Sequence, residues 1–395
     1  MNNLKILHLS LSYNSAPNLG GPDITVYKLC SSLAKKGATV DVICTNLASK
    51  DSYISKSSFS KKVDGVNVNY LRTLKILPLG TSSFGLYYIP ELKDFLSSNI
   101  KNYDIVHLHG YRDYLSLIGA LQAKSHNVPY VLHPRGTLPN QGHSILVKKL
   151  FDYSFGKIMI KNASGLIALT KREINSFRLL NADINKITVV NNGMDLDDYN
   201  PYQSGENFIN KYKITQKFIV LYLGRVHKIK GIDHMVKAVA DLSRIGFDIA
   251  AVVVGPDEGF AKVLKNIANE EKFTHLYLIP TVTGLEKQQA FGAADVLVYA
   301  AEVEDFGVVA FEGILSGVPT IVASETGCGE IFKRYNLGHT VPYGDINQLS
   351  KLIKELLETP NKSKEFTMAG RIQIIKHLGW EDIATKVIKF YNEVL

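Results

Sequence analysis

Short apolar runs alternate with amphipathic stretches along the whole chain. Runs that are apolar throughout predict strands buried on both faces, as in parallel sheets, and the amphipathic stretches between them predict helices. This order repeats in both halves, so we expect an α/β protein with doubly wound parallel sheets. The predicted strands are Lys5–Leu9, Thr39–Cys44, Val66–Leu71, Ile105–Leu108, Tyr130–Leu132, Gly165–Leu169, Ile187–Val190, Phe218–Leu223, Ile249–Val254, Leu276–Ile279, Val296–Tyr299 and Thr320–Val322.

A polar stretch with Pro and Gly, residues 197–205, separates two such series and predicts a linker. We therefore predict two Rossmann-like domains, residues 1–198 and 199–378, that face each other across a cleft. Ligands of such sheets bind at the carboxyl ends of the strands. Residues 379–395 are predicted to form a helix that crosses back to the N-terminal domain. The predicted helices include Asp23–Lys36, Asp113–Ser125, Ser144–Lys161, Lys171–Leu180 and Phe306–Ser316.

The positive charge of the chain is concentrated in its first half. The chain has 45 basic and 37 acidic residues, a net charge of +8. Residues 1–198 hold 23 basic and 14 acidic residues, and residues 199–395 hold 22 and 23. This asymmetry indicates an anionic partner or a membrane surface for the first half, although solvated surface lysines are the plain alternative.

The sequence shows no targeting or membrane-spanning pattern. Its start lacks the features of a signal peptide, and no apolar run approaches the ~20 residues that cross a bilayer. Three cysteines without CxxC spacing favour a reducing compartment. We expect a cytoplasmic protein. The predicted helix Ser144–Lys161 mixes lysines with large apolar residues, so it could lie on the cytoplasmic face of an anionic membrane or pack on the core.

Two glycine-containing loops are candidates for binding phosphate. Gly20 and Gly21 precede a predicted helix, where a glycine pair permits close approach of a ligand and a helix N-terminus favours an anion. Gly224 and Arg225 end a strand, and Lys230 follows in the same loop. An arginine fork and a lysine point charge together could neutralise a diphosphate, and a solvated basic loop is the alternative.

A third cluster joins Glu304 to Glu312 across the start of a predicted helix. Eight helical residues advance about 12 Å, too far for two carboxylates to act on one bond. The spacing suits two hydroxyl-bearing parts of one extended ligand. Free N–H groups at Phe306, Gly307 and Val308 could meet a phosphate. Two surface glutamates are the plain alternative, but the apolar neighbours of Glu312 favour its burial with a partner.

Histidines follow two strands of the first half. His133 comes after one strand and could hydrogen-bond to a substrate hydroxyl, while His107 and His109 end another. Single histidines also serve structural roles. Asp195 and Asp197 form an Asp-x-Asp pair that could hold Mg²⁺, but a turn and helix cap is the favoured reading. No phosphate loop, GxGxxG after the first strand, HExxH or GxSxG occurs, so we expect no metal site and no tightly bound cofactor.

The combination and order of these motifs resemble a known family. Gly20-Gly21, Asn192-Gly-Met-Asp195, Gly224-Arg225 with Lys230-Gly231, Glu304-x7-Glu312 and Ser316-Gly-Val-Pro319 follow one another as in the retaining glycosyltransferases of family 4. That resemblance implies the GT-B fold, with an acceptor-side first domain and a nucleotide-sugar-binding second domain. It implies metal-independent transfer of a sugar from a UDP- or GDP-sugar, in surface polysaccharide or lipid-linked glycan synthesis.

The resemblance also implies roles for individual residues. Arg225 and Lys230 would hold the donor diphosphate, with Gly20 and Gly21 beside it. Glu304 would contact the donor sugar, and Glu312 the ribose hydroxyls. His133 would match the family's histidine near the donor sugar.

The partners expected from these roles are a nucleotide sugar and a glycan or lipid-linked acceptor. A sugar-nucleotide 2-epimerase of the same fold is the alternative. A polyanion-binding protein is a further alternative, but no nucleic-acid recognition motif supports it.

Overall fold

A computed structural model describes residues 4–13, 21–48, 52–77, 86–139, 145–196, 199 and 202–395. The chain divides into two compact units, one formed by Met1–Gly193 with Trp380–Leu395 and the other by Met194–Gly379. The sequence places the boundary after residue 198, whereas the division falls after Gly193. The predicted C-terminal helix of residues 379–395 corresponds to the segment that returns to the first unit. Gly20 lies outside the described residues.

The first unit contains an eight-stranded sheet with strand order β10-β9-β8-β7-β1-β2-β4-β3. All neighbours are parallel except β3, which pairs antiparallel with β4. A separate two-stranded antiparallel sheet joins β5 and β6. The strands are β1 (Lys5–Ser10), β2 (Thr39–Thr45), β3 (Phe59–Val63), β4 (Val66–Leu71), β5 (Leu74–Leu77), β6 (Leu86–Tyr88), β7 (Ile105–His109), β8 (Tyr130–His133), β9 (Gly165–Ala168) and β10 (Ile187–Val189).

Helices cover the sheet of the first unit. The last helix of the chain buries Val387 and Tyr391 in the same apolar cluster as Ile6 and Val131 of the sheet. This burial accounts for the return of the C-terminus to the first unit. The helices are α1 (Gly21–Lys35), α2 (Leu92–Asn99), α3 (Tyr114–Ser125), α4 (Ile145–Phe151), α5 (Lys157–Asn162), α6 (Lys171–Leu179) and, at the end of the chain, α15 (Trp380–Val394).

The second unit contains a six-stranded parallel sheet with strand order β13-β12-β11-β14-β15-β16. This is the strand order of a dinucleotide-binding Rossmann sheet. Successive strands are added on one side of β11 as far as β13 and then, from β14 onward, on its other side. Its elements are α7 (Glu206–Tyr212), β11 (Phe218–Leu223), α8 (Ile232–Arg244), β12 (Ile249–Val254), α9 (Ala261–Glu270), β13 (Leu276–Ile279), α10 (Gly284–Gly292), β14 (Val296–Tyr299), α11 (Val308–Leu315), β15 (Thr320–Ala323), α12 (Gly327–Tyr335), β16 (His339–Val341), α13 (Ile346–Glu358) and α14 (Pro360–Leu378).

Two of the predicted helices differ from the prediction: one is interrupted and the other begins later in the chain. The described part of Ser144–Lys161 is interrupted after α4 by a π-helical turn, Asp152–Gly156. Arg112 binds the Asp152 carboxylate in this turn, and a side chain at Gly156 would overlap the Tyr111 hydroxyl. The helix predicted to begin at Phe306 begins at Val308 instead, because Gly307 has a left-handed backbone with φ of 71°.

The described residues include no helix with the length and apolar character needed to cross a bilayer. All three cysteines are free thiols buried inside the two units.

Candidate active site

The strongest candidate site lies between β11 and β14, where the strand order of the second sheet switches from one side to the other. Arg225 follows β11, and Glu304 lies in the loop after β14, the strand beside β11. Parallel sheets bind ligands at such a switch point, outside the carboxyl ends of the strands. The fold therefore brings together the second and third motifs of the sequence, which are about 75 positions apart in the chain.

Lys230 forms the centre of this site. Its ammonium group donates a hydrogen bond to Glu304 Oε2 at 2.8 Å, and the Tyr299 hydroxyl donates to the same oxygen at 2.8 Å. Lys230 is buried, so the glutamate satisfies a charge that would be costly to bury alone. Burial and the nearby Glu304 carboxylate raise the pKa of Tyr299 well above its usual value, which keeps the hydroxyl a donor.

A short helical turn before α8 positions Lys230. Residues Lys228–Lys230 form a single 3₁₀ turn, capped by His227 Nδ1, which accepts the Ile229 N–H. Gly231 then adopts φ of 65°, and a side chain at this position would overlap the carbonyl oxygen of Ala300. Only glycine fits this turn without strain, and it brings Lys230 against the end of β14.

Arg225 has a more open environment. Its guanidinium forms an ion pair with Glu258 at 2.8 Å, and both side chains are exposed. Exposed pairs contribute about 0–1 kcal/mol, so a phosphate can replace Glu258 at little cost. Gly224, with φ of 147°, and the Tyr222 hydroxyl, which donates to the Arg225 carbonyl, shape the backbone that presents the arginine.

Glu312 is buried in α11 and only half satisfied. Its Oε1 atom accepts hydrogen bonds from the Tyr199 hydroxyl at 2.7 Å and from the Lys287 ammonium at 2.6 Å. Its Oε2 atom is buried without a hydrogen-bond partner among the described residues. Because a buried acceptor without a donor is costly, this oxygen is suited to accept a hydrogen bond from a ligand hydroxyl.

The loop that carries Glu304 is held in place on both sides. The Gly327 N–H donates to the Glu304 carbonyl at 2.9 Å, and the Glu302 N–H donates to the Ile229 carbonyl at 2.9 Å. Phe306 is buried and stacks on Phe311 with ring centroids 4.4 Å apart. Val308, not Phe306, begins the helix whose N-terminal N–H groups could face an anion.

A pocket of about 270 Å³ lies beside this site in the second unit. It is lined by the segments that follow β11, β12 and β13, including Val226, Gly255 and Pro280. Asp257 at its edge accepts the N–H groups of Gly259, Phe260 and Ala261, and these hydrogen bonds lower the pKa of its carboxyl group. The walls combine apolar side chains with backbone groups, which suits a flat heterocycle.

His133 of the first unit belongs to a buried cluster of histidines. His8, His107, His109 and His133 come from β1, β7 and β8, and neighbouring rings lie with centroids 4.0–6.0 Å apart. Burial lowers the pKa of His8 to about 3 and those of the other three well below their usual value, so all four are neutral near pH 7. Neither ring nitrogen of His133 has a partner among the described residues.

Three members of this cluster have the spacing of metal ligands. One nitrogen from each of His8, His107 and His109 lies within 4.8 Å of the others. However, the Arg135 Nε–H donates to His109 Nδ1, so the proton of this neutral ring is on Nε2, where it donates to His8 Nδ1. A ring with this proton arrangement, beside a guanidinium charge, is a poor ligand for a cation. We assign no metal to the cluster.

Gly21, the other glycine of the first predicted loop, is the first residue of α1. Asp195 lies in the second unit, and its predicted partner Asp197 falls outside the described residues. The Asp-x-Asp motif is therefore not assigned a function.

Family models match both units. Residues 20–193 match the glycosyl transferase 4-like domain, and residues 204–373 match the glycosyl transferases group 1 domain. This chain is a GT-B glycosyltransferase of the family 4 type. The D-inositol 3-phosphate glycosyltransferase 1 of Catenulispora acidiphila is 25% identical over 314 residues, covering 74% of this chain and 73% of the relative.

Solved structures of this glycosyltransferase class share the fold. HepE from Anabaena, crystallised with UDP and glucose, has a TM-score of 0.75 at 16% identity, with 99% of this chain and 100% of that chain covered. The sucrose-phosphate synthase of Thermosynechococcus elongatus has a TM-score of 0.72 at 20% identity and covers 99% of both chains. The predicted fold class, two parallel-sheet α/β units of the GT-B type, is confirmed.

Several residues in contact with the candidate groups of each unit were not predicted from the sequence. Tyr299, Lys287 and Tyr199 complete the surroundings of the two glutamates, and Arg135 completes the histidine cluster. Tyr299 ends an apolar strand one loop before Glu304, which was a usable signal. Lys287 and Tyr199 lie on other elements, and their pairing with Glu312 depends on tertiary packing that the sequence pattern does not reveal.

Proposed function

We propose that the chain transfers a glycosyl group, with retained anomeric configuration and without a catalytic metal, from a nucleoside-diphosphate sugar to an acceptor hydroxyl. The observation that carries this proposal is the buried Lys230 with its partners Glu304 and Tyr299 at the switch point of the second sheet. UDP in the HepE structure supports a nucleoside diphosphate as the leaving group. The adjoining pocket has the size and lining for the base.

Each residue of the site has a role in this reaction. Lys230 and Arg225 neutralise the diphosphate as its negative charge grows, helped by the N-terminal N–H groups of α11. Glu312 Oε2 accepts a hydrogen bond from a ribose hydroxyl, and Glu304 accepts one from a hydroxyl of the donor sugar. His133, neutral and buried, accepts a hydrogen bond from a hydroxyl of the reacting sugar through its unprotonated ring nitrogen.

The group transfer needs no protein nucleophile. The bond between the anomeric carbon and the β-phosphate oxygen breaks, and a bond from the acceptor oxygen to the same face of that carbon forms. The acceptor hydroxyl proton passes to an oxygen of the departing diphosphate. The contribution of the protein is then positioning and charge stabilisation, for which the residues of the second unit are suited.

A donor panel with product analysis tests this proposal. UDP-, GDP- and ADP-sugars are incubated with candidate glycan and lipid-linked acceptors, with and without EDTA. We expect release of one nucleoside diphosphate, insensitivity to EDTA, and a product whose anomeric proton coupling matches that of the donor. An inverted product or full loss with EDTA would refute the mechanism. An epimerised nucleotide sugar formed from donor alone would favour the epimerase alternative.

We also propose that the enzyme works on a lipid-linked acceptor, as a peripheral protein at an anionic membrane. The support is an exposed apolar surface formed by residues 145–158, which we name the lipid-facing surface after the role proposed for it. Leu146, Leu150 and Tyr153 are 81%, 68% and 76% exposed, far more than a helix packed on the core would allow. The other exposed large apolar residues of this surface are Ile145, Val147, Phe155 and Ile158.

Charge supports an anionic membrane as the partner of the lipid-facing surface. Lys148, Lys149 and Lys157 lie among its apolar residues in the sequence and Lys161 follows them, whereas Asp152, the one acid in residues 145–161, is buried against Arg112. Apolar residues surrounded by lysines are typical of segments that lie at the interface of an anionic bilayer. Each lysine near such a surface contributes about 1 kcal/mol.

We expect Leu146→Ser with Leu150→Ser to lower binding to phosphatidylglycerol-containing vesicles by about tenfold or more, because burial of each leucine contributes about 1.5–3 kcal/mol. Lys148→Glu with Lys149→Glu should weaken binding similarly. Vesicle sedimentation measures the bound fraction. Leu179→Ser, which changes a leucine 85% exposed elsewhere in the first unit, is the matched control and should bind as the wild type does.

Equal binding to pure phosphatidylcholine vesicles, or wild-type binding by both double variants, would contradict the role of the lipid-facing surface.

A further inference from the structure

Arg135 has an unusual backbone conformation for an arginine. Pro134 separates Arg135 from the end of β8. The backbone of Arg135 has φ of 54°, and that of the next residue, Gly136, has φ of 79°. A left-handed conformation is strained for a residue with a side chain, and such strain concentrates at functional sites. The turn directs the arginine across the carboxyl ends of the neighbouring strands, where it contacts His109 at the end of β7.

The guanidinium group of Arg135 hydrogen-bonds only to neutral groups among the described residues. Its Nε atom donates to His109 Nδ1 at 3.0 Å, and its Nη1 atom donates to Asn192 Oδ1 at 2.9 Å and to Thr25 Oγ1 at 3.2 Å. Its Nη2 atom is buried and has no hydrogen-bond partner in the part of the chain that the structure describes. A half-buried cation whose contacts are all neutral is costly, because nearby dipoles only partly replace water.

The surroundings of Arg135 supply little compensating charge. Glu173 is the one carboxylate that raises its pKa, but the two oxygens of Glu173 accept the N–H groups of Gly136 at 2.8 Å and Leu169 at 2.7 Å. Burial lowers the pKa of Arg135 only to about 10, so it remains charged near pH 7. The histidines beside it are neutral and hold no negative charge.

His133 provides a second unsatisfied polar group at the same place. It ends β8 two residues before Arg135, its ring is buried, and both ring nitrogens lack partners in the described part of the chain. Its ring lies with its centroid 6.0 Å from that of His109, to which Arg135 is bonded. A cation with an unused N–H group and a neutral imidazole with a free donor together match an oxyanion.

We propose that Arg135 and His133 form an anion-binding subsite that takes a phosphate ester or carboxylate carried by the acceptor. The bound oxyanion would accept hydrogen bonds from Arg135 Nη2 and from the protonated nitrogen of His133. It would supply the counter-charge that the described residues around Arg135 do not provide. The assignment of the anion to the acceptor rests on the proposed function, since Arg225 and Lys230 serve the donor diphosphate in the second unit.

We use inorganic phosphate as the probe. Binding is measured in the double variant Arg225→Ala with Lys230→Ala, so that the donor site contributes no phosphate binding. We expect calorimetry to show one phosphate bound per chain in this background. Addition of Arg135→Gln should weaken that binding by about tenfold or more, since a charge-assisted hydrogen bond is lost. Acetate and methyl phosphate distinguish a carboxylate site from a phosphate-ester site by their relative affinities.

A second readout needs no change at Arg135. In the same background, phosphate should shift the side-chain ¹⁵N resonances of His133 and His109 in a saturable way, with one dissociation constant. If Arg135 has only a structural role, phosphate should cause no saturable shift and should bind equally with and without Arg135→Gln. Either result would overturn the subsite. The assay measures no turnover, so a failure of glycosyl transfer in the donor panel would be recognised separately.

Discussion

Lys230→Ala should lower kcat/KM for the nucleotide sugar by about 10²–10³-fold, the usual effect of removing one preorganised group that stabilises developing charge. The ammonium is buried and held at 2.8 Å from Glu304 Oε2, so it is fixed before substrate arrives. Its loss removes stabilisation of the diphosphate and leaves Glu304 with the Tyr299 hydroxyl as its remaining partner at Oε2. Steady-state release of nucleoside diphosphate measures the effect.

Two controls separate this catalytic effect from misfolding. Lys228→Ala removes an exposed lysine from the same turn and should keep wild-type turnover. Breaking a buried ion pair can destabilise a protein by about 3–5 kcal/mol, so urea unfolding is recorded for each variant. Lys230→Met with Glu304→Gln removes both charges and should recover stability without recovering turnover. Wild-type turnover in Lys230→Ala would refute the assigned role.

The free energy of unfolding should fall steeply as the pH is lowered from 6.5 to 5.5, by about 3–4 kcal/mol over that unit. The cause is the four buried histidines, whose pKa values are about 3 for His8 and well below 6.5 for the others. In the unfolded chain each histidine takes up a proton near pH 6.5, whereas in the folded chain it stays neutral. The unfolded state therefore binds more protons, and stability is lost as the pH falls.

Cys30, Tyr391 and Arg135 beside the cluster do not titrate in that window. Asp113 does, because burial raises its pKa to about 6, and its proton uptake in the folded state offsets less than about 1 kcal/mol of the loss. Burial raises the pKa of the Cys30 thiol and of the Tyr391 hydroxyl, and Arg135 has a pKa of about 10.

Urea unfolding at pH 7.5, 6.5 and 5.5 gives the slope. His8→Asn, whose amide oxygen can accept the His109 proton, should reduce that slope by about one quarter. If the slope of the wild type corresponds to less than one proton taken up on unfolding, these histidines titrate normally in the folded protein.

Much of the fold was predictable because buried parallel strands are apolar throughout. The Phe218–Leu223 and Ile249–Val254 strands have the bounds that their apolar runs predict. β3, by contrast, was missed, since its residues Phe59–Val63 include two exposed lysines and pair at the edge of the sheet. β16 was missed because only Val341 of its three residues is apolar. Local pattern reveals buried strands well and edge strands poorly.

The candidate site was predictable only in part. Lys230 and Glu304 both follow strands, so their meeting at a switch point could be anticipated from the alternating pattern. Their direct ion pair could not, since it depends on the left-handed turn at Gly231 and on packing against Ala300. Arg135 was passed over because an arginine after His-Pro has no local signature. Its importance comes from the absence of a carboxylate partner among the described residues, which only the structure reveals.

The central claim is that the second unit holds a nucleoside diphosphate through Lys230 and Glu312. Calorimetric titration of UDP, GDP and ADP into the wild type, Lys230→Ala, Glu312→Ala and the control Lys228→Ala tests it most directly. We predict that one of the diphosphates binds the wild type and the control equally, at one per chain, and binds each site variant about tenfold or more weakly. Equal affinity in all four proteins, or no binding of any diphosphate to the wild type, would contradict the claim.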